Sequence, residues 1–319
     1  VIPAIPGYSV EAWKSFVFNP GRLRRMQEGA GIILDFLQLV LGQGLLASEL
    51  LSEDNLKELS TRLVDTQIPG AARKIKSFAR YELNPETLPM FRFELRYLGN
   101  LAHMLMGFEQ LSLSAKLQVW QICGGLISKE LVLNQPGVND RWVTKSVVVA
   151  REDGLVTRKT WFYGTHTLMW AFTLDYSFGT QPLPEGNKVG DTFNGTAKFY
   201  PGLLPGRILF TEKAEDSGVY RTPDVMRFED IARLKLGVAR LAAHDPLFHE
   251  YPVLMDKIIL TSNNGQFYLV DVNNEFLPLI TVEKRGYGSK DDAWERFADA
   301  GGHPVSLWVM VSQGQFILI

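Results

Sequence analysis

The apolar pattern of this chain changes period at Gln135-Pro136-Gly137, and that change constrains the fold more than any other feature. Before it, apolar residues recur at three- and four-residue steps, the spacing that lays one buried stripe along a helix. Ile33, Phe36, Leu37, Val40 and Leu41 form one stripe, within an apolar run over residues 29–46 that Asp35 and Gln38 interrupt. Leu56, Leu59 and Leu63 form another, behind Ser52 as a candidate N-cap with Glu53 and Asp54 in the first turn. Pro69-Gly70 breaks the chain, and a basic helix follows with Ile75, Phe78 and Ala79 on its apolar side. After Asn84-Pro85 and Pro89, helices are expected over 91–108 and 114–131. Short connections favour antiparallel neighbours, so the spacing predicts a helical bundle or helical hairpins over residues 1–133.

Beyond the boundary the pattern is that of strands. Segments 142–150, 155–163 and 168–176 are rich in β-branched and aromatic residues and are separated by Glu152-Asp153-Gly154 and Gly164-Thr165. Three strands joined so closely predict an antiparallel meander. Strands over 193–200 and 207–212 flank the loop Pro201-Gly202-Leu203-Leu204-Pro205-Gly206. Helical spacing returns over 227–242, with Ile231, Leu234, Val238 and Leu241 on one face. Strands over 257–261 and 266–272 enclose Asn264-Gly265, a strong hairpin signal. A strand over 275–282, a short helix around Trp294 and Phe297, and strands over 305–311 and 315–319 follow. The fold class is α+β: a helical domain, residues 1–133, then a mainly antiparallel β-rich domain, residues 134–319, with two short helical insertions and a subdivision near 225.

Composition excludes several function classes. A 319-residue chain that is 46% hydrophobic and 21% charged has the balance of a globular protein. The net charge of −2 is spread evenly, so neither half is built to neutralise a phosphate backbone wholesale. One cysteine, Cys123, makes an internal disulfide impossible and is expected as a small buried hydrophobe. No uninterrupted apolar run has the length of a membrane span, and residues 1–6 lack the basic-then-apolar order of a signal peptide. A cytoplasmic protein without membrane contact is expected, and the missing initiator Met and apolar final strand suggest a fragment or processed chain.

Motifs that carry chemistry are sparse. His244 and His249 stand five apart across Pro246, a spacing that does not bring two imidazoles to one helix face. They are expected in a polar loop, and His103 as a core or boundary residue of an apolar helix. No phosphate-cradling glycine loop and no serine elbow occurs, and Gly42-Gln43-Gly44 reads as a helix C-terminus. The acidic pairs Glu229-Asp230 and Asp291-Asp292 read as first-turn helix charges. No catalytic residue, metal ligand or cofactor site is therefore assigned. For binding, Arg73, Lys76 and Arg80 share a helix face near Lys74, and with Arg22, Arg24 and Arg25 they would attract an acidic partner or a phosphate backbone. A solvated face is the plainer explanation of such a run. Trp142, Trp161, Phe162, Tyr163, Trp170 and Phe172 suit a packed sheet core better than a stacking platform. Leu203 and Leu204, held between two Pro-Gly pairs, are either a contact at a hairpin tip or a tip packed back onto its own domain.

Two stretches resemble bacterial SWIM zinc finger family proteins, in the region C-terminal to the finger. The first is Leu63-Val64-Asp65-Thr66-Gln67-Ile68-Pro69-Gly70 followed by a basic amphipathic helix. The second runs through Pro136-Gly137, Asp140-Arg141-Trp142, Arg158-Lys159-Thr160-Trp161, Gly164, Trp170, Leu174-Asp175 and Phe199-Tyr200-Pro201-Gly202, with Pro205 and Arg207. The finger's Cys-x-Cys and Cys-x-His pairs are missing, so no zinc and no contact made by the finger can be assigned here. The resemblance implies a non-enzymatic interaction or scaffold module whose partners are proteins, ATPase and von Willebrand-type proteins among them, with nucleic acid the lesser alternative. The competing class is an enzyme assembled from Asp65, Asp140, Asp175, His244 and His249, which requires at least three of them in one cleft.

Overall fold

Asn19 starts the first long helix: its side chain accepts from the Arg22 amide at 2.9 Å, and Pro20 takes the first helical position, where its missing N–H costs nothing. The computed structural model describes residues 8–44, 49–84, 87–152, 154–204, 206–215, 227–280 and 290–319. The expectations for residues 1–6, Pro85, Asp153, Pro205, 281–282 and a boundary near 225, and those for the Asp291 and Asp292 side chains, lie outside this description.

Six helices come first: α1 (Pro20–Gln43), α2 (Glu53–Asp65), α3 (Pro69–Ser77), α4 (Leu88–Met106), α5 (Leu113–Ile122) and α6 (Lys129–Leu133). They enclose one core in which Met26, Ile33, Leu56, Leu63, Leu98 and Leu105 are fully buried. The turn between α2 and α3 has Gln67 at φ 63°, and Ile68 returns its amide to Leu63 O at 3.1 Å. Helix α1 packs directly on this turn because residue 29 is glycine: a Cβ there would lie 2.4 Å from Thr66 Oγ1.

Three local expectations are corrected. The helix expected over 114–131 is two helices. Gly124, at φ 78°, donates to Gln121 O, and Gly125 donates to Trp120 O at 2.7 Å, a left-handed glycine cap that satisfies the last carbonyls of α5. Ala79 is exposed, because α3 stops at Ser77 and a tighter 3₁₀ turn over Phe78–Arg80 rotates it outward. His103 lies on the exposed side of α4. Cys123 is buried, as expected.

Strands β1 (Val138–Glu152), β2 (Leu155–Gly164) and β3 (Trp170–Phe178) make the expected meander. Strand β4 (Thr192–Phe199) pairs with the other side of β1, and β5 (Ile208–Glu215) with β4, giving the order β3-β2-β1-β4-β5. All four pairings are antiparallel. The sheet rolls until its two edges meet at a bridge between Phe172 and Arg207, where the Phe172 amide donates to Gly206 O at 2.7 Å. Five strands is an odd number, so the edges meet parallel although every other neighbour is antiparallel. Trp142, Phe162, Phe193, Ala197, Phe199 and Ile208 fill this small barrel, and the Trp142 indole donates to Gly195 O at 3.0 Å.

Asp140 closes one end of the barrel. Its carboxylate is buried and accepts from the amides of Arg141, His166 and Thr167 at 2.6, 3.1 and 2.9 Å, and from the Thr167 hydroxyl. Burial alone would raise its pKa, but these hydrogen bonds outweigh that and hold it below the usual carboxylate value.

The rest of the chain builds a second sheet, β11-β10-β7-β8-β9, from β7 (Glu250–Asn263), β8 (Gln266–Val270), β9 (Phe276–Leu279), β10 (Val305–Ser312) and β11 (Gln315–Leu318); the short β6 (Arg227–Phe228) adds a parallel pair to β7. Asn264 and Gly265, both at positive φ, form the β7–β8 turn. Helices α7 (Ile231–His244) and α8 (Lys290–Ala300) cover one face, with Ile231, Leu234 and Ala293 fully buried. The other face meets the outside of the barrel through Trp161, Tyr163, Trp170, Met310 and Ile317. The aromatic run of β2 and β3 is therefore core: Phe162 and Ala171 face the barrel interior, while Trp161, Tyr163, Trp170 and Phe172 join the two sheets.

Candidate functional site

Alternation along β2 points Arg158 and Thr160 to the same side as Phe162, and along β3 points Thr173 and Asp175 to the side of Ala171. Polar groups therefore occupy the end of the barrel remote from Asp140. On β5 the alternation is interrupted. Glu212 has φ 57° and the β4–β5 register slips between Asn194 and Thr196, a bulge that turns Lys213 inward. The Lys213 ammonium sits 4.8 Å from the ring centres of both Phe193 and Phe210, which with Phe162 pack edge to face as a floor.

Of these rings Phe210 reaches a cleft of about 470 Å³, lined by both barrel edges, residues 184–187 and Lys129 of α6. Arg158 donates to one oxygen of Asp175 from Nε at 3.0 Å and Nη2 at 2.7 Å, and Nη2 also reaches Glu185 O at 3.2 Å. Gly186 lies so close that a Cβ would come 2.3 Å from Arg158 Cζ. The Lys213 ammonium donates to Asn187 Oδ1 at 3.1 Å. Desolvation lowers its pKa most, Asp175 opposes that, and Arg158 adds to it. Arg207 stacks on Tyr200, 4.3 Å from the ring centre. Asp175 answers Arg158, whereas among the described residues no carboxylate lies within ion-pair distance of Lys129, Arg207 or Lys213. The cleft carries an excess of positive charge, four cations against Asp175 and Glu185, with Phe210 in its wall, and its volume is that of a small-ligand site.

The residues singled out from sequence are placed elsewhere. Arg73, Lys76 and Arg80 are exposed on α3 and the turn after it, on the bundle. Lys74 leaves that group and reaches buried Glu94 Oε2 at 2.5 Å. Arg22 is half-buried and donates to Gly124 O at 2.8 Å, which ties it to the cap of α5. Leu203 and Leu204 are half-buried in a loop that docks neither outward nor on its own sheet, but across onto the bundle and α7. Gln118 of α5 accepts from the Leu203 amide at 2.6 Å and donates at 2.8 Å to buried Asp245, whose pKa desolvation raises. Gln121 donates to Pro201 O at 2.6 Å, and His244 Nε2 lies 3.1 Å from Leu203 O.

The dispersed acids and histidines do not converge. Asp65 is exposed at the end of α2, Asp140 is spent on its turn, and His249 neighbours Glu94 and Gln313. Of the five, Asp175 alone lines the cleft. Among the described residues no three His, Cys, Asp or Glu side chains gather as metal ligands. Lys129, Arg158 and Lys213 were missed by sequence reasoning, although Arg158, Asp175 and Arg207 all belong to the stretch that carries the family resemblance.

Residues 21–119, from the first turn of α1 into α5, match the family model of the SWIM-associated four-helix bundle. The helical part is similar to SWIM-associated domains. This bears out the resemblance to the C-terminal region of SWIM family proteins. The match ends before β1, so it does not cover the barrel on which the SWIM-associated bundle packs. Neither curated proteins nor solved structures gave a match. No helix among the described residues is long and apolar enough to cross a membrane.

Proposed function

We propose that the chain is a non-enzymatic interaction module of a SWIM family protein, in which the bundle and second sheet support the barrel and the barrel mouth makes the contact. The observation that carries this reading is the convergence of Lys129, Arg207 and Lys213, none of them in an ion pair among the described residues, on one cleft walled by Phe210. Cations gathered at one mouth, Lys129 and Lys213 exposed to solvent, attract an acidic partner and speed its encounter. The support behind them is stiff, because Gln118, Gln121 and Asn100 bind backbone or carboxylate of the β-rich part from three places on the bundle.

The test is capture from bacterial lysate, with and without nuclease, by the wild-type chain and by Arg207→Glu/Lys213→Glu. A nuclease-resistant protein held by the wild type and lost by the variant supports the reading. ATPase and von Willebrand-type proteins are the partners to look for first. Capture that vanishes with nuclease moves the contact to nucleic acid, and the exposed Arg73, Lys76 and Arg80 become the residues to replace. Equal capture by both proteins refutes the barrel mouth.

A further inference from the structure

Among the described residues, one bridge closes the barrel. At the Phe172–Arg207 bridge the Phe172 amide reaches Gly206 O, and on the far side of β5 the Tyr200 amide reaches Arg207 O at 2.9 Å. Backbone groups alternate in direction along a strand. Leu174 and Tyr176 on β3 therefore turn their N–H and C=O groups away from β2, and Phe210 on β5 turns its own away from β4. Both sets face the gap. The bridge is isolated, so the ladder stops there and the edges part into the cleft that Leu174, Tyr176 and Phe210 line.

Two open edges facing each other across a cleft are a template for an added strand. Parity decides its direction. The edges run parallel because five strands close the ring. A sixth strand between them would be antiparallel to both, and an even-numbered barrel has no mismatched neighbour. Charge decides its chemistry: Arg158, Arg207, Lys213 and Lys129 line the cleft against two carboxylates, Asp175, which pairs with Arg158, and Glu185, so positive charge is in excess.

We propose that the slit between β3 and β5 takes an acidic segment of a partner protein as a sixth, antiparallel strand, its carboxylates meeting Arg207, Lys213 and Lys129. This rests on the interaction reading above and adds the form of the ligand. Main-chain hydrogen bonds to two edges supply affinity, and the cations select acidic side chains at alternate positions.

The probe is a fluorescein-labelled peptide of alternating Glu and Val, about eight residues long, the length of an ordinary strand. It is titrated against the full chain by fluorescence polarisation. Beside it run its Lys–Val counterpart, a Glu–Val peptide N-methylated at alternate amides, and an oligo-dT. The Glu–Val peptide is expected to bind and to slow amide exchange at Leu174 and Phe210. N-methylation removes the ladder donors and should weaken binding about tenfold or more, as should Arg207→Glu/Lys213→Glu with an unchanged circular dichroism spectrum. Equal binding of the N-methylated peptide, absence of Glu–Val binding, or binding of oligo-dT in its place each overturns the added strand. If a lysate partner still depends on Arg207 and Lys213 in that case, the interaction reading stands and only the strand is lost.

Discussion

Replacing Asp140 with asparagine removes one acceptor from a site built wholly of donors. One carboxylate oxygen takes the amides of Arg141 and His166, with His166 Nδ1 2.8 Å away; the other takes the amide and hydroxyl of Thr167. An asparagine keeps the first set on its carbonyl and must point its NH₂ at the Thr167 amide. The hydroxyl can turn to accept, but the amide cannot, and an orphaned buried N–H costs about 1–3 kcal/mol. The remaining bonds lose their charge assistance, about 1 kcal/mol in all. The expected loss is about 3 kcal/mol, which moves a urea midpoint followed by tryptophan fluorescence down by roughly 1 M. The pH dependence checks the cause. A carboxyl held below its ordinary value of 3.8 contributes stability at neutral pH, and that contribution fades as pH falls from about 3.8 through the folded value. Asp140→Asn should lack that part of the acid slope. A midpoint shift under about 0.3 M, or an unchanged acid slope, would refute the account.

Gly164→Ala should lower the midpoint at least as far as Asp140→Asn, since its Cβ would meet Asp140 Oδ2 at 2.5 Å; thermal melts of the two variants decide it. The Cys123 thiol is buried and its pKa is pushed up to about 12, so a thiol reagent at neutral pH should modify it at the rate of unfolding. Modification within seconds of mixing would count against the core described here. Leu204→Ser should cost about 1–2 kcal/mol, because the half-buried side chain packs against the core that α7 shares with the second sheet; chemical denaturation of the variant measures it.

Much of the architecture follows from local pattern. The change of period at Gln135-Pro136-Gly137 separates α6 from β1, and turn chemistry at Gly164 and at Asn264-Gly265 places hairpins that exist. The split between α5 and α6 was also written in the sequence, as Gly124-Gly125, but an apolar pattern on both sides masks a cap. The site was less legible, and for a physical reason. Arg158 and Phe162 share a face by simple alternation, whereas Lys213 joins them only because Glu212 adopts a left-handed conformation that nothing in its chemistry demands. Rolling the sheet brings β3 to β5, the two strands farthest apart in hydrogen-bonding order, and no local signal reports that approach.

The buried carboxylate of Glu94 sets a schedule for the chain as it is made. Its partners are Lys74, twenty residues earlier, and His249 and Gln313, both made long after it. At translation rates of about 5–20 residues per second, roughly 10–40 s separate the appearance of Glu94 from that of Gln313. Until His249 emerges, Lys74 is the one partner of these three available, so the nascent bundle can fold with its charge answered by its own counter-ion. The β10–β11 hairpin then completes an ion pair already formed, so strands made later seal helices made well before them.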